Sequence, residues 1–176
     1  APLPREGRFQ GFGANDVIYL VMPDRFADGD AKNNDPPKSK GLYDRKNPRA
    51  YHGGDIEGIR RKLPYLKQLG ITAVWYTPVF DNTDVADSAS FKPGEPFHTA
   101  YHGYHARDFY DVEERFGDLS SLKRLTDEAH AMGIKIIMDQ VENHAGPFHP
   151  WVKDSPTPTW LNGTAANHLP NNWQVW

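Results

Sequence analysis

Residues 138–144 read Met-Asp-Gln-Val-Glu-Asn-His, so an apolar run delivers an acid (Asp139), an amide (Asn143) and an imidazole (His144) in quick succession. Such groups at the end of a strand can orient a polar ligand or a metal ion. A second set lies earlier. Asp28, Asp30, Asn33 and Asn34 present hard oxygen ligands within seven positions, and Gly29 lets the backbone turn between them, a pattern that suits a calcium ion. Gly53 can add a carbonyl and Asp55 a carboxylate to that shell. The loop is not an EF-hand, because Lys32 falls where that motif needs an oxygen and no bidentate glutamate follows. A solvated polar turn is the plain alternative, since Asp, Asn and Gly favour turns in any case. The third set is His102 with Tyr104. A neutral pyranose needs donors and acceptors for its hydroxyls and an aromatic ring for its apolar face, and these two residues together with His144 suit it.

Strands and helices must position these groups. Residues 17–22 are a continuous apolar run closed by Pro23, the pattern of a strand buried on both faces. Ile56, Ile59, Leu63, Leu66 and Leu69 then recur at helical spacing up to Gly70, with Pro64 expected to kink the helix or restart it. Residues 72–77 give a second strand, closed by Pro78. Asp118 is placed to cap a helix whose Leu119, Leu122, Leu125, Ala129 and Met132 share a face, and residues 134–138 follow Gly133 as a third strand. The joints from helix to strand are a residue or two long, whereas the loops at 23–54 and 78–117 that follow the first two strands are very long. In a barrel of alternating strands and helices the loops after the strands build the active site, and this asymmetry predicts such a barrel. A doubly wound open sheet alternates in the same way, but the short glycine-rich turn expected after its first strand is missing.

Composition excludes several classes. The chain has 176 residues, 38% hydrophobic and 24% charged, enough for one core. Its 20 basic and 23 acidic residues give a net charge of -3, which offers no electrostatic case for nucleic acid or an anionic membrane. No apolar run approaches the roughly 18 residues of a membrane span, and the amino end, Ala1 to Arg5, lacks the apolar segment of a signal peptide, as a mature or excised start would. The absence of cysteine rules out disulfides and thiolate metal sites. A secreted or periplasmic location is expected, with the cytoplasm open, because a secreted protein can do without disulfides. Eight histidines raise the thought of a metal-dependent hydrolase, yet no His-Glu-x-x-His set occurs, and His98, His102 and His105 lack helical spacing.

Four ordered motifs resemble the alpha-amylase superfamily, glycoside hydrolase family 13, over about residues 17–176. Residues 19–30, Tyr-Leu-Val-Met-Pro-Asp-Arg-Phe-Ala-Asp-Gly-Asp, resemble its first strand and following loop, and residues 75–80, Trp-Tyr-Thr-Pro-Val-Phe, its second strand. Residues 101–104, Tyr-His-Gly-Tyr, resemble the segment whose tyrosine stacks on the sugar before the scissile bond, and residues 138–144 its third-strand signature. The resemblance implies an α/β fold: the amino-terminal portion, about three β/α units, of a TIM (β/α)8 barrel over residues 1–144, with the start of an inserted domain B over 145–176. It implies that Tyr104 is the stacking platform, that His102 and His144 hydrogen-bond hydroxyls of the same ring, that the first-loop oxygens form the calcium site of cyclodextrin-processing members, and that Asn143 ligates a second calcium. The family usually has tryptophan where this chain has His105. Asp139 is read as orienting its neighbours, and Arg107 with Asp108 as a structural pair. The tryptophans of 145–176 could stack on distal sugars or simply pack the insert.

Retaining hydrolysis needs a nucleophile and a general acid about 5 to 5.5 Å apart. In the family the nucleophile sits in a Gly-x-Arg-x-Asp segment on a fourth strand, and no such segment occurs here. No catalytic residue is therefore assigned; Asp24, Asp139 and Glu142 are not substitutes. The expected function is part of a retaining alpha-glucan hydrolase acting on starch-derived oligosaccharides or cyclodextrins, with calcium as cofactor, the remainder of the barrel as partner, and the chain alone inactive. The alternative is a non-catalytic carbohydrate-binding or scaffold protein with an amylase-like barrel.

Overall fold

The first apolar run forms β1 (Ile18–Val21), the second β2 (Ala73–Tyr76), and the run after Gly133 a strand that pairs on the far side of β2. These assignments come from a computed structural model that describes residues 11–86, 97–164 and 167–168. In chain order the elements are β1, α1 (Pro23–Phe26), α2 (Ile56–Gln68), β2, β3 (Phe80–Asn82), β4 (Ala106–Val112), α3 (Leu119–Ala131), β5 (Lys135–Met138), and two short strands, β6 (Gly163–Thr164) and β7 (Asn167–His168). The sheet order is β1-β2-β5, parallel throughout, with Leu20 opposite Trp75 and Trp75 opposite Ile137.

Helices α2 and α3 pack on each other and cover one face of this sheet, so that Val21, Val74 and Ile134 close on Ile59, Leu63, Leu66 and Leu125 as one core. Alternate strand residues point to the opposite face. There Ile18 is 47%, Leu20 54% and Trp75 38% exposed, so the expected burial of the first strand on both faces does not hold within the described residues.

Helix α2 starts where Asp55 accepts the amide hydrogen of Gly58, and it runs through Pro64 without restarting. Pro64 sits on the exposed side, where water can satisfy the carbonyl that its missing N–H leaves free. Leu69 lies past the last helical turn and is half exposed, so it does not belong to the core stripe. In α3 the capping box of Asp118 and Ser121 is complete, and Leu119, in the first turn, faces solvent rather than the core.

The long loop after β2 contains an antiparallel hairpin, β3 with β4, that periodicity did not reveal. Its sequence is charged, and the register shifts at Phe80, Asp81 and Asn82 break the alternation a strand reading relies on. The hairpin is fastened to the first loop by Lys38, whose ammonium lies 2.8 and 2.9 Å from the two carboxylate oxygens of Asp81. Arg107 pairs with Asp84, not with Asp108, which instead accepts the amide of Tyr110 at 2.8 Å. Neighbours on a strand point to opposite faces, so two adjacent residues are poorly placed to pair.

The proposed boundary at 144/145 falls in irregular chain after β5. Trp151 and Trp160 of the following segment pack edge to face with centroids 5.2 Å apart, and Trp151 stacks on Phe109 of β4 at 5.7 Å, which is the packing role. Trp173, Trp176 and the amino-terminal residues 1–10 lie outside the described residues.

Candidate functional site

Strand β5 ends at Met138, and the next residue already points its carboxylate at two partners. Asp139 Oδ2 accepts the Tyr104 hydroxyl at 2.8 Å and the Trp75 indole N–H at 3.1 Å. The orienting role read from sequence for Asp139 is thus what the geometry shows, with Tyr104 as its main object. The phenol is held in its neutral, donating form: burial first, and then the Asp139 contact, push the Tyr104 hydroxyl up to about 12.

His102 stacks beside Tyr104, with centroids 5.8 Å apart and planes within 27°. Its Nδ1 accepts the Tyr104 backbone N–H at 3.0 Å, which puts the proton of the neutral ring on Nε2 as a donor. Burial, helped by the neighbouring His105 and His144, brings His102 down to about 4, so the ring is neutral across the physiological range. His144 is the third member. Its Nε2 lies 2.9 Å from the Tyr104 carbonyl, while Asn143 Nδ2 lies 3.4 Å from its Nδ1. His144 therefore buttresses Tyr104 in this structure, where sequence reading had it bonding a sugar hydroxyl directly. The three residues expected to act together are brought together.

His105 occupies the position read as a departure from the family. Its ring meets His102 edge-on at 4.8 Å, and its backbone is clamped: the N–H reaches Asn82 Oδ1 at 3.2 Å and the carbonyl accepts the Thr83 N–H at 3.3 Å. Asn82 is fully buried and is itself held by Glu113 Oε2 at 3.0 Å. Sequence reading missed Asn82, because an asparagine in a polar loop carries no periodic or motif signal.

The first-loop set gathers around Asp55, which has no exposure. Its carboxylate accepts N–H groups from Gly29 at 3.0, Asp30 at 2.8, Gly58 at 2.6 and the Asn33 side chain at 3.1 Å, so one residue caps α2 and folds the loop back over it. Asn34 Nδ2 donates to Asp28 Oδ2 at 2.9 Å. Gly53 has a φ of +85°, and a Cβ there would stand 2.5 Å from Asn34 Oδ1, so only glycine lets that amide approach. Two amide oxygens of this set, Asn33 Oδ1 and Asn34 Oδ1, are buried with no hydrogen-bond partner among the described residues. An unmet buried acceptor costs about 1–3 kcal/mol, and a cation is one partner that unmet amide oxygens in an acidic loop suit. Asn143 is exposed, contacts His144, and makes no hydrogen bond to this loop.

Elsewhere Asp81, Glu113 and Glu114 bring carboxylate oxygens within 4.8 Å of one another, but Lys38 already supplies the positive charge there. A 580 Å³ cleft lined by Gly29, Asp30, Asn33, Glu57, Arg60 and Asp118 is bordered by the first loop and the starts of α2 and α3 and shares no residue with the His102 site. Asp24, set aside as a catalytic group, is buried with its oxygens on the amides of His52 and Gly53. Glu142 is exposed.

The model of the alpha amylase catalytic domain matches residues 20–175. The chain belongs to the alpha-amylase family. Within that family it is 41% identical over 132 residues to a cyclomaltodextrin glucanotransferase of Klebsiella oxytoca and 42% identical over 132 residues to neopullulanase 2 of Thermoactinomyces vulgaris. Those alignments cover 74% of this chain but only 19% and 20% of the two relatives, so the chain spans about a fifth of the length of the curated relatives it matches. Among solved alpha-amylase family structures, a cyclomaltodextrin glucanotransferase with a three-domain ABC distribution superposes with a TM-score of 0.70 at 40% identity, over 86% of this chain and 32% of that one.

Proposed function

We propose that these residues form the amino-terminal portion, about three β/α units, of the barrel of a retaining alpha-glucan hydrolase, and that they supply its sugar-gripping wall and a calcium-bound first loop. The observation that carries the reading is the joint placement of His102, His144 and Asp139 around Tyr104, in a chain matched to the family across residues 20–175. Tyr104 offers a fixed ring to the apolar face of a pyranose, and His102 offers an N–H that does not titrate near neutrality. Alpha-glucosidic substrates, starch-derived oligosaccharides or cyclodextrins, follow from relatives named for cyclomaltodextrin and pullulan chemistry.

Residues Asp28, Asp30, Asn33, Asn34, Gly53 and Asp55 would hold the calcium, and Asn143 would serve a second ion. The unpaired oxygens of Asn33 and Asn34 support the first of these. Calcium when bound supplies charge balance and rigidity to the loop. The exposed inner face of the sheet, Ile18, Leu20 and Trp75, fits a surface that further barrel strands cover.

The test begins with the intact mass and peptide map of the native polypeptide that carries these residues, followed by its incubation with maltoheptaose and β-cyclodextrin under anomer-resolved NMR. A mass well above 20.0 kDa with peptides containing Gly-x-Arg-x-Asp, and release of α-anomeric products, is the expected result. Saturable binding without cleavage would replace it by the scaffold reading, and neither binding nor cleavage would overturn both.

A further inference from the structure

The segment that carries His102 and Tyr104 has no regular secondary structure around Tyr101 and Gly103, so its shape is borrowed from what it lies on. It lies on the first loop. The Thr99 amide and hydroxyl both reach the Arg49 carbonyl, at 3.0 and 3.1 Å, and Asn47 Nδ2 donates to the Phe97 carbonyl at 2.8 Å. Arg25 stands in the middle of this seam. One of its terminal nitrogens donates to the carbonyls of Pro48 and Ala50, each at 2.9 Å, and its Nε lies 3.2 Å from the buried Asp24 carboxylate. The same guanidinium lies over the Tyr101 ring, with its central carbon 3.9 Å from the ring centroid. Tyr101 in turn meets His102 edge to face, with centroids 5.4 Å apart. Arg25 itself is set by α1, directly after β1, so this contact chain starts from the sheet and ends at the sugar-facing imidazole.

We propose that Arg25 is a positioning residue for glucan binding, seating the segment that holds His102 and Tyr104 on the first loop without touching the sugar. The proposal rests on the reading of those two residues as sugar ligands. It follows from what a guanidinium can do at once: its edge satisfies the two carbonyls and the carboxylate, while its face is left for the tyrosine. A lysine ammonium in the same place can meet the oxygens but has no plane to lay on Tyr101. Loosening Tyr101 moves the ring against which His102 rests, and a small misplacement of a substrate-holding group is costly in affinity.

The experiment compares steady-state kinetics on maltoheptaose for the native polypeptide and its Arg25→Met, Arg25→Lys, Tyr101→Ala and Tyr101→Phe variants, each assayed where circular dichroism shows it fully folded. Arg25→Met and Tyr101→Ala are expected to raise KM roughly tenfold while lowering kcat much less, the mark of lost ground-state placement. Tyr101→Phe keeps the ring and stays within about twofold of wild type, and Arg25→Lys recovers part of the loss. A role in stability alone would lower the active fraction, and so apparent kcat, with KM unchanged in every variant; that pattern overturns the proposal. Should Arg25→Met fail to fold, the contrast between Tyr101→Ala and Tyr101→Phe decides, and equal KM values for the two overturn it. If the wild type is active and all four variants match it, only the role of Arg25 falls. A wild type that neither binds nor cleaves maltoheptaose overturns the sugar reading and this proposal with it.

Discussion

Asp139 shows how much one carboxylate can organise. A single oxygen serves the Tyr104 hydroxyl and the Trp75 indole, so Asp139→Ala leaves two donors without an acceptor at the wall of the proposed sugar site. A hydrogen bond to a charged group contributes about 1.5–3 kcal/mol, and oligosaccharide affinity measured by calorimetry should fall roughly tenfold or more in that variant. Unchanged affinity would mean that packing alone places Tyr104. His102 makes a pH prediction. Its folded pKa of about 4 lies below the ordinary value near 6.5, so the folded state binds fewer protons than the unfolded chain between those two values. The stability that the neutral ring brings is complete above about pH 6.5 and is lost as pH falls toward 4. Imidazole C–H resonances followed by NMR should show one histidine still neutral at about pH 5, and sugar affinity should be flat above that point. Some of this was legible in the residue types: the orienting role of Asp139 and the grouping of His102, Tyr104 and His144 all follow motifs. The engagement of His144 with the Tyr104 carbonyl, and the partner of Arg107, were not legible, because each depends on a residue distant in the chain.

At the scale of elements, α2 shows local preference giving way to packing. Glycine costs a helix about 1 kcal/mol relative to alanine, so Gly58→Ala would be expected to stabilise α2. In the fold, a Cβ on Gly58 would stand 1.8 Å from the Ala27 carbonyl oxygen, where the first loop crosses the helix start. Gly58→Ala should therefore destabilise by about 1–3 kcal/mol or more, read as a lower urea midpoint with an unchanged slope; a rise in midpoint would mean that the crossing relaxes freely. Helices α2 and α3 and all three parallel strands were legible, since their apolar residues recur at 3.6 or run continuously and the helix ends carry Asp caps and terminal glycines, whereas the one-turn α1 was not. The β3–β4 hairpin was not, because charged residues and register shifts remove the periodic signal.

For the whole molecule the first loop is the joint between parts. It wraps Asp55 at the head of α2, reaches Asp81 of the hairpin through its own Lys38, and carries the segment of His102 and Tyr104 through Arg25 and Asn47. A cation met by Asn33 Oδ1 and Asn34 Oδ1 would tighten that joint. At a free calcium concentration a hundred times the Kd, binding to the folded state alone stabilises by about 2.7 kcal/mol. For a domain of this size the melting temperature should then drop by roughly 5–10 °C on chelation and return with calcium but not with magnesium. A melting temperature indifferent to chelator would remove calcium from the first loop. No helix among the described residues is long and apolar enough to cross a membrane.

The sequence by itself determined the alternation of strands and helices and the family, and named the groups expected at the site, because periodicity, caps and short motifs are local properties written in neighbouring residues. The tertiary structure alone decided which of those groups meet. That Asp139 spends one oxygen on both Tyr104 and Trp75, that Asn82 clamps His105, and that Arg25 lies over Tyr101 are facts about residues 23 to 76 positions apart. Only the packing of loops across the ends of parallel strands brings them within hydrogen-bond reach, and no local preference in the chain encodes that distance.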